Sequence, residues 1–243
     1  MKIPLGLLKA LDRFADVLEG RRVLVLTLFS LLYFTGTLGF SSAKLLWHDE
    51  LITFYVARLP TLVEIWRAIA DAAEVHPPLS FFLSHFIHTY IWADPLAMRI
   101  PSILGFWTMS LCLFRFVSRE CSPVYAYVAM IAPVFSAAYD HAYEARPYGL
   151  LLGFVGMALV SWQETAGSSR RRLAIVCLAL SLACAVSTHY YAVLVLIPLG
   201  LGELTRSASS NRLDLPVWSA LAAGMTPLAA YAPLAFSAKE YYG

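Results

Sequence analysis

Ionisable side chains are scarce in this 243-residue chain, and several of them fall in tight groups. His48, Asp49 and Glu50 follow Trp47, and His76 precedes Pro77-Pro78. Arg99 precedes Ile100-Pro101, Asp140, His141, Glu144 and Arg146 crowd one stretch, and His189 stands between Thr188 and Tyr190. These residue types suit two jobs. A carboxylate within reach of a hydroxyl can take its proton. An arginine can hold an anionic oxygen pair through parallel N–H bonds and stabilise charge that builds there.

Each residue also has a plainer reading. Asp49 is a good N-cap for a helix beginning at Glu50, and Glu50 in a first turn is favoured by the helix dipole. His76-Pro77-Pro78 reads as a rigid turn. Glu144 and Arg146 read as neighbours pairing at a helix entrance, with Pro147 suited to its first turn. His189 reads as a turn residue, and His85 and His88 as lipid-boundary residues.

The elements that must position these groups are set by composition. Apolar residues make up 59% of the chain and charged ones 14%, against about 45–50% and about 25% in soluble domains. That excludes a disordered chain, a basic nucleic-acid-binding domain and an ordinary soluble globule, and a net charge of +2 implies no polyanionic partner. Cys112, Cys121, Cys177 and Cys184 have neither metal-ligand nor disulfide-framework spacing. Asn211 is in no glycosylation sequon. The expectation is an all-α, multi-pass membrane protein forming a single domain over residues 1–243.

A span takes about 20 largely apolar residues. Val23–Ala43, Ile100–Phe114, Cys121–Tyr139, Pro147–Gln163 and Leu215–Ala238 qualify or come close. Leu173–Gly202 is too long for one upright helix and divides at His189-Tyr190-Tyr191, giving about seven spans. Leu79–Ala93 reads as lying along the surface. That choice puts Arg119, the Arg170-Arg171-Arg172 run, Arg206 and Arg212 in cytoplasmic loops, as the positive-inside rule favours. The N-terminus is then cytoplasmic. Residues 1–22 carry an amphipathic pattern (Leu5, Leu8, Leu11, Ala15, Leu18) and not a cleaved signal peptide.

The long outer loop, residues 44–99, reads as folded. Thr61-x-x-Glu64 is a capping box. Behind it Leu62, Ile65, Trp66, Ile69 and Ala73 mark one helical face, while Glu64, Arg67, Asp71 and Glu74 take the other. Glu50 to Arg58 has similar character. Both are expected as juxtamembrane amphipathic helices. On this topology the polar residues singled out above gather at the outer boundary, where a charged cluster is a functional-site hypothesis by default.

The ordered set Trp47-His48-Asp49-Glu50, His76-Pro77-Pro78-Leu79, Arg99-Ile100-Pro101-Ser102, Glu144-Ala145-Arg146-Pro147-Tyr148 and Thr188-His189-Tyr190 resembles a known family. It is similar to the dolichyl-phosphate-mannose protein mannosyltransferase-like branch of the GT-C glycosyltransferases, which includes the lipid A aminoarabinose transferases. The resemblance covers about residues 23–205. It implies a conserved seven-span module, a polyprenyl-phosphate-linked sugar donor and inverting transfer on the non-cytoplasmic face of a membrane, here a bacterial inner membrane.

The resemblance makes Asp49 the base, with Glu50 as runner-up or orienting partner. Arg146 and His76, with His189, are candidates for the lipid phosphate. Arg99 is left between supporting the loop and binding the phosphate. The Asp-Glu pair does not by itself make a metal site, and no metal or other cofactor is expected. Members of the family usually continue into further spans and a soluble outer domain, so the C-terminal part is expected to be absent here and a second membrane subunit is a possible partner. The competing readings are a lipid-linked-sugar transporter and a non-catalytic membrane subunit. A transporter would need polar residues near the midplane, where this sequence is apolar or small.

Overall fold

The computed structural model describes residues 18–167 and 169–242. The expected amphipathic segment therefore lies, up to residue 17, outside the described residues. What is described is all-helical, with no strand among the described residues. The α-helices are α1 (Arg22–Ala43), α2 (His48–Ala57), α3 (Leu62–Ala70), α4 (Leu79–Tyr90), α5 (Ile100–Val117) and α6 (Pro123–Ile131). They continue as α7 (Tyr148–Glu164), α8 (Arg171–Thr188), α9 (Leu196–Ser210), α10 (Leu215–Gly224) and α11 (Pro227–Tyr242). Short 3-10 turns lead into α5 (Pro95–Arg99), follow α6 (Ala132–Phe135 and Ala137–Ala142) and lead into α9 (Tyr190–Val195).

Four helical stretches are long and apolar enough to cross a membrane: Arg22–Ala43, Pro95–Val117, Arg171–Thr188 and Tyr190–Ser210. The apolar run through His189 is broken where the sequence pattern divides it. His189 leaves the helical conformation (φ −156°, ψ 133°), its ring Nδ1 accepts the Tyr191 N–H at 3.0 Å, and a new helical stretch begins. The remaining helices of the bundle are shorter, and prolines account for two of the breaks. Pro133 sits where α6 gives way to a 3-10 turn, and Pro227 opens α11 after α10 ends.

Helices α5, α7, α8 and α10 pack as a row, each on the next. Backbones approach most closely between α5 and α7, because both present glycine at the contact. A methyl group on Gly105 would collide with the Gly149 and Leu150 backbone, and one on Gly149 would lie 2.7 Å from the Ser102 carbonyl oxygen. Small residues allow such approach where lipid offers no hydrophobic drive for helix association. Farther along, Leu178, Leu182, Leu199, Val217 and Leu221 form the core shared by α8, α9 and α10. An aromatic core of Tyr33, Phe106, Tyr139 and their neighbours joins α1, α5 and the turn after α6.

The 44–99 segment folds on itself as α2, α3 and α4. Val56, Ile65, Ile69 and Phe81 pack together and against Leu234 of α11. Thr61 and Glu64 form the reciprocal cap, Glu64 N–H to Thr61 Oγ1 at 3.2 Å and Thr61 N–H to Glu64 Oε2 at 3.1 Å. α3 stops at Ala70, however, and Ala72 takes the left-handed conformation (φ +59°). The chain is thereby turned off the helical path before Glu74. At twelve residues, α4 is short of a span. His85 on it does not face lipid as the sequence pattern suggests: it is buried, with Nδ1 2.9 Å from the Ala57 carbonyl oxygen at the end of α2.

The glycine contact makes a sharp prediction. Gly105→Ala should cost about 1–3 kcal/mol, the usual penalty of overpacking, and lower the thermal unfolding temperature in detergent. Gly39→Ala, where nothing lies within 4 Å of the added methyl group, should leave it unchanged.

Candidate functional site

The site is built where the start of α2, the turn after α3, the start of α7 and the break at His189 meet. Behind it lies a buried ion pair. Arg99 is 1% exposed and Glu50 0%. Arg99 Nε donates to Glu50 Oε1 at 2.8 Å and Nη2 to Oε2 at 2.9 Å, a two-pronged contact. The remaining donors go to main-chain carbonyls at the end of α1: Nη1 to Ser41 and, at 2.8 Å, to Lys44, and Nη2 to Leu45 at 3.2 Å. All five N–H donors of the guanidinium are engaged.

Glu50 is equally occupied. Its Oε1 also accepts the Ala145 N–H at 2.6 Å and its Oε2 the Trp47 N–H at 3.3 Å. No donor of Arg99 is left for a phosphate and no lone pair of Glu50 for a substrate hydroxyl. The geometry gives this pair a structural role in fixing the loop: Arg99 ties down α1, and Glu50 holds Trp47 before α2 and Ala145 before α7.

Asp49, the next residue back, points the other way and is half-exposed. Its Oδ2 lies 3.9 Å from Arg146 Nη2, and its Oδ1 3.3 Å from Nδ1 of the exposed His48. It does not N-cap α2, whose cap position is Trp47. Arg146 is buried. Its Nη1 donates to the Asp49 carbonyl oxygen at 3.2 Å and to Glu74 Oε2 at 2.8 Å, while Nε is buried with no hydrogen-bond partner. Its own carbonyl oxygen accepts from Ser102 Oγ at 2.5 Å, which ties it to α5. Glu144 does not pair with Arg146 but with Lys44, at 2.7 Å.

Glu74 is the residue that sequence reasoning missed. Helical spacing places it on the solvent face of α3, but the stop at Ala70 and the turn at Ala72 send it inward, where it is 7% exposed. Its Oε1 is 2.8 Å from His76 Nδ1 and accepts the Val75 N–H at 2.9 Å. The following His76-Pro77-Pro78, which cannot continue a helix, was the local sign that α3 must end early.

Burial alone would raise the Glu74 carboxyl. The His76 hydrogen bond, the charges of His76 and Arg146 and the Val75 N–H outweigh it and hold the group down at about 2. Arg146 shows the counterpart: burial opposes its charge, but Glu74 and Asp49 raise its pKa above the ordinary arginine value. His189 is pushed down to about 4, by burial first and then by His76 and Arg146.

These bonds fix the imidazoles. Facing an ionised Glu74, His76 carries its proton on Nδ1 and turns Nε2 free. His189 accepts the Tyr191 N–H on Nδ1, so its proton sits on Nε2. The two rings are 4.8 Å apart between centroids, and Tyr148 packs against both, at 6.0 Å from His76 and 5.5 Å from His189. Asp49, His76, Arg146 and His189 are thus brought together with Glu74, while Glu50 and Arg99 stand behind them. Among the described residues no group of three or more His, Cys, Asp or Glu side chains is placed to hold a metal ion. The arrangement offers a half-open carboxylate beside a fixed cation, with the His189 Nε2–H donor and the His76 ring alongside.

No family model, curated protein or solved structure matches the chain. What the site does must be argued from its own atoms.

Two outcomes test this geometry. Arg99→Met leaves Glu50 charged and buried without its partner, and should destabilise the protein by about 3–5 kcal/mol, read as a lowered unfolding temperature in detergent. Stability should also fall on acidification in two steps. His189 has a folded pKa of about 4 against 6.5 as its ordinary value, so the unfolded chain takes up its proton first and stability declines from pH 6.5 to about 4. Glu74, held at about 2 against 4.5, loses its contribution as pH falls from 4.5 to about 2. His189→Asn should flatten the first step and spare the second, as measured by unfolding temperature against pH.

Proposed function

We propose that this protein is a membrane glycosyltransferase that moves a sugar from a polyprenyl-phosphate donor to an acceptor hydroxyl, with inversion. The observation that carries the reading is the placement of the half-exposed Asp49 carboxylate 3.9 Å from the buried Arg146 guanidinium, at one end of a helical membrane bundle. Transfer needs a base for the hydroxyl and a fixed cation for the departing phosphate, and these two groups stand side by side. The resemblance of the ordered motifs to those of the GT-C mannosyltransferase-like enzymes supports the same reading.

In this mechanism the acceptor oxygen attacks the anomeric carbon as Asp49 takes the hydroxyl proton. The bond from that carbon to the phosphate oxygen breaks, and the phosphate departs with the electron pair toward Arg146 and the His189 Nε2–H. Glu74 holds Arg146 and His76 in place.

The topology that goes with this reading has seven spans. The shorter helices α6, α7 and the α10–α11 pair cross with the four long stretches, α4 lies at the surface, and the arginine-rich ends face the cytoplasm of a bacterial inner membrane. The site then opens on the outer face at headgroup height, where the phosphate of a lipid donor resides.

The test is transfer by protein purified into lipid nanodiscs with a polyprenyl-phosphate sugar. Asp49→Asn should lower turnover by about 10²–10⁴-fold without moving the unfolding temperature. Arg146→Lys, which keeps a charge beside Glu74 but loses the fork, should raise the donor KM. Turnover of Asp49→Asn at the level of the unaltered protein would overturn the assignment of the base.

A further inference from the structure

A second polar cluster lies at the far end of the same helices. α8 has 18 residues, about 27 Å at 1.5 Å per residue, close to the thickness of a bilayer's hydrocarbon core of about 30 Å. His189 follows its last residue and Arg171 is its first. Around Arg171 the end of α7, the end of α9 and the start of α10 enclose a cavity of about 500 Å3.

Its charges do not cancel. Arg171 Nη2 binds Asp214 at 2.6 and 2.5 Å. Arg206 binds Glu203 at 2.5 Å and donates to Thr165 Oγ1 at 2.9 Å. Arg212 lines the same cavity, is exposed, and has neither an ion pair nor a side-chain hydrogen bond among the described residues. The wall also holds three buried polar atoms with no hydrogen-bond partner, Glu203 Oε1, Arg206 Nη2 (in the ion pair with Glu203 but not aligned for a hydrogen bond) and Ser207 Oγ, and such atoms call for a missing partner. At the mouth stand Leu213 and Leu215, 68% and 67% exposed.

We infer that this cavity is a headgroup site for an anionic phospholipid of the leaflet opposite the catalytic site. A basic pocket between spanning helices at headgroup depth is a recurring form of lipid recognition. Arg212, with the open edges of Arg171 and Arg206, takes the phosphate. Hydroxyls of the headgroup donate to the carboxylate side of the wall at Asp214, and to Glu203 once that side chain turns toward the opening. Leu213 and Leu215 meet the first carbons of the acyl chains. A soluble phosphate would use the arginines but leave both leucines in water. A choline headgroup would carry the phosphate but bring a cation without a donor to a wall of guanidinium groups. A glycerol headgroup meets all three demands.

The test is native mass spectrometry of the full chain released from nanodiscs of mixed phosphatidylglycerol and phosphatidylcholine. The unaltered protein should retain phosphatidylglycerol several-fold over phosphatidylcholine. Arg212→Gln, which breaks no internal contact, should lower that retention about fivefold, the usual effect of one surface arginine on anionic lipid. Arg67→Gln, on the exposed face of α3 at the other end of the molecule, should not change it. Equal retention of the two lipids would overturn the proposal, and so would full retention by Arg212→Gln. Displacement of the lipid by millimolar inorganic phosphate would also overturn it, reducing the cavity to a phosphate site. None of these readouts depends on sugar transfer, so this inference and the proposed activity can fail separately.

Discussion

The Glu50–Arg99 pair is the constraint on which the site end of the molecule depends. Two charges removed from water are costly, and the cost is offset only when nearly every hydrogen-bonding position on both groups is filled. Here they are filled by the two groups' own contact, which joins α2 to the turn into α5, and by main-chain atoms from three stretches: the end of α1, the residue before α2 and Ala145 in the turn leading into α7. A loop joined to four helices at one point cannot drift relative to any of them. Ala57, Met98 and Ala145, one of them bonded to Glu50 through its N–H and one next to Arg99 in sequence, form a buried apolar cluster. The neighbour of Glu50 in sequence, Asp49, is thereby fixed on the opposite, open side.

The same economy governs the site proper. Arg146 is held by a carboxylate from a different element, Glu74, and that carboxylate also sets which nitrogen of His76 carries a proton. Removal of any one member leaves a buried partner uncompensated. The cluster is therefore better regarded as one unit with an open face than as a list of separate residues, and single substitutions within it will not add independently.

Much of this was legible in the sequence where the signal is local. The Thr61–Glu64 cap lies within one turn, and the break at His189 is marked by a polar residue in an apolar run too long for one helix. The grouping of Asp49, His76, Arg146 and His189 was expected from their places at the ends of apolar runs, and the folded chain brings the four together. What was not legible depends on contacts far apart in sequence or on one backbone angle. No local pattern separates Glu50, which accepts from Ala145, from Asp49 beside it. Glu74 sits at the right spacing for an exposed helical face, and only the left-handed Ala72 takes it elsewhere. His85, read as a lipid-boundary residue, is instead taken up by a carbonyl 28 residues away.

The glycine contact between α5 and α7 reaches beyond packing. Gly105 lies six residues into α5 from Arg99, and Gly149 three residues beyond Arg146. The tightest backbone crossing thus sits just beneath both guanidinium groups. Helices meeting through bulky side chains can slide by exchanging rotamers, whereas two bare backbones in contact have no such slack. Axial slippage of α5 on α7 is blocked at the level where it would otherwise pull the two arginines out of register, so the bundle works as a ruler for the spacing of its charges.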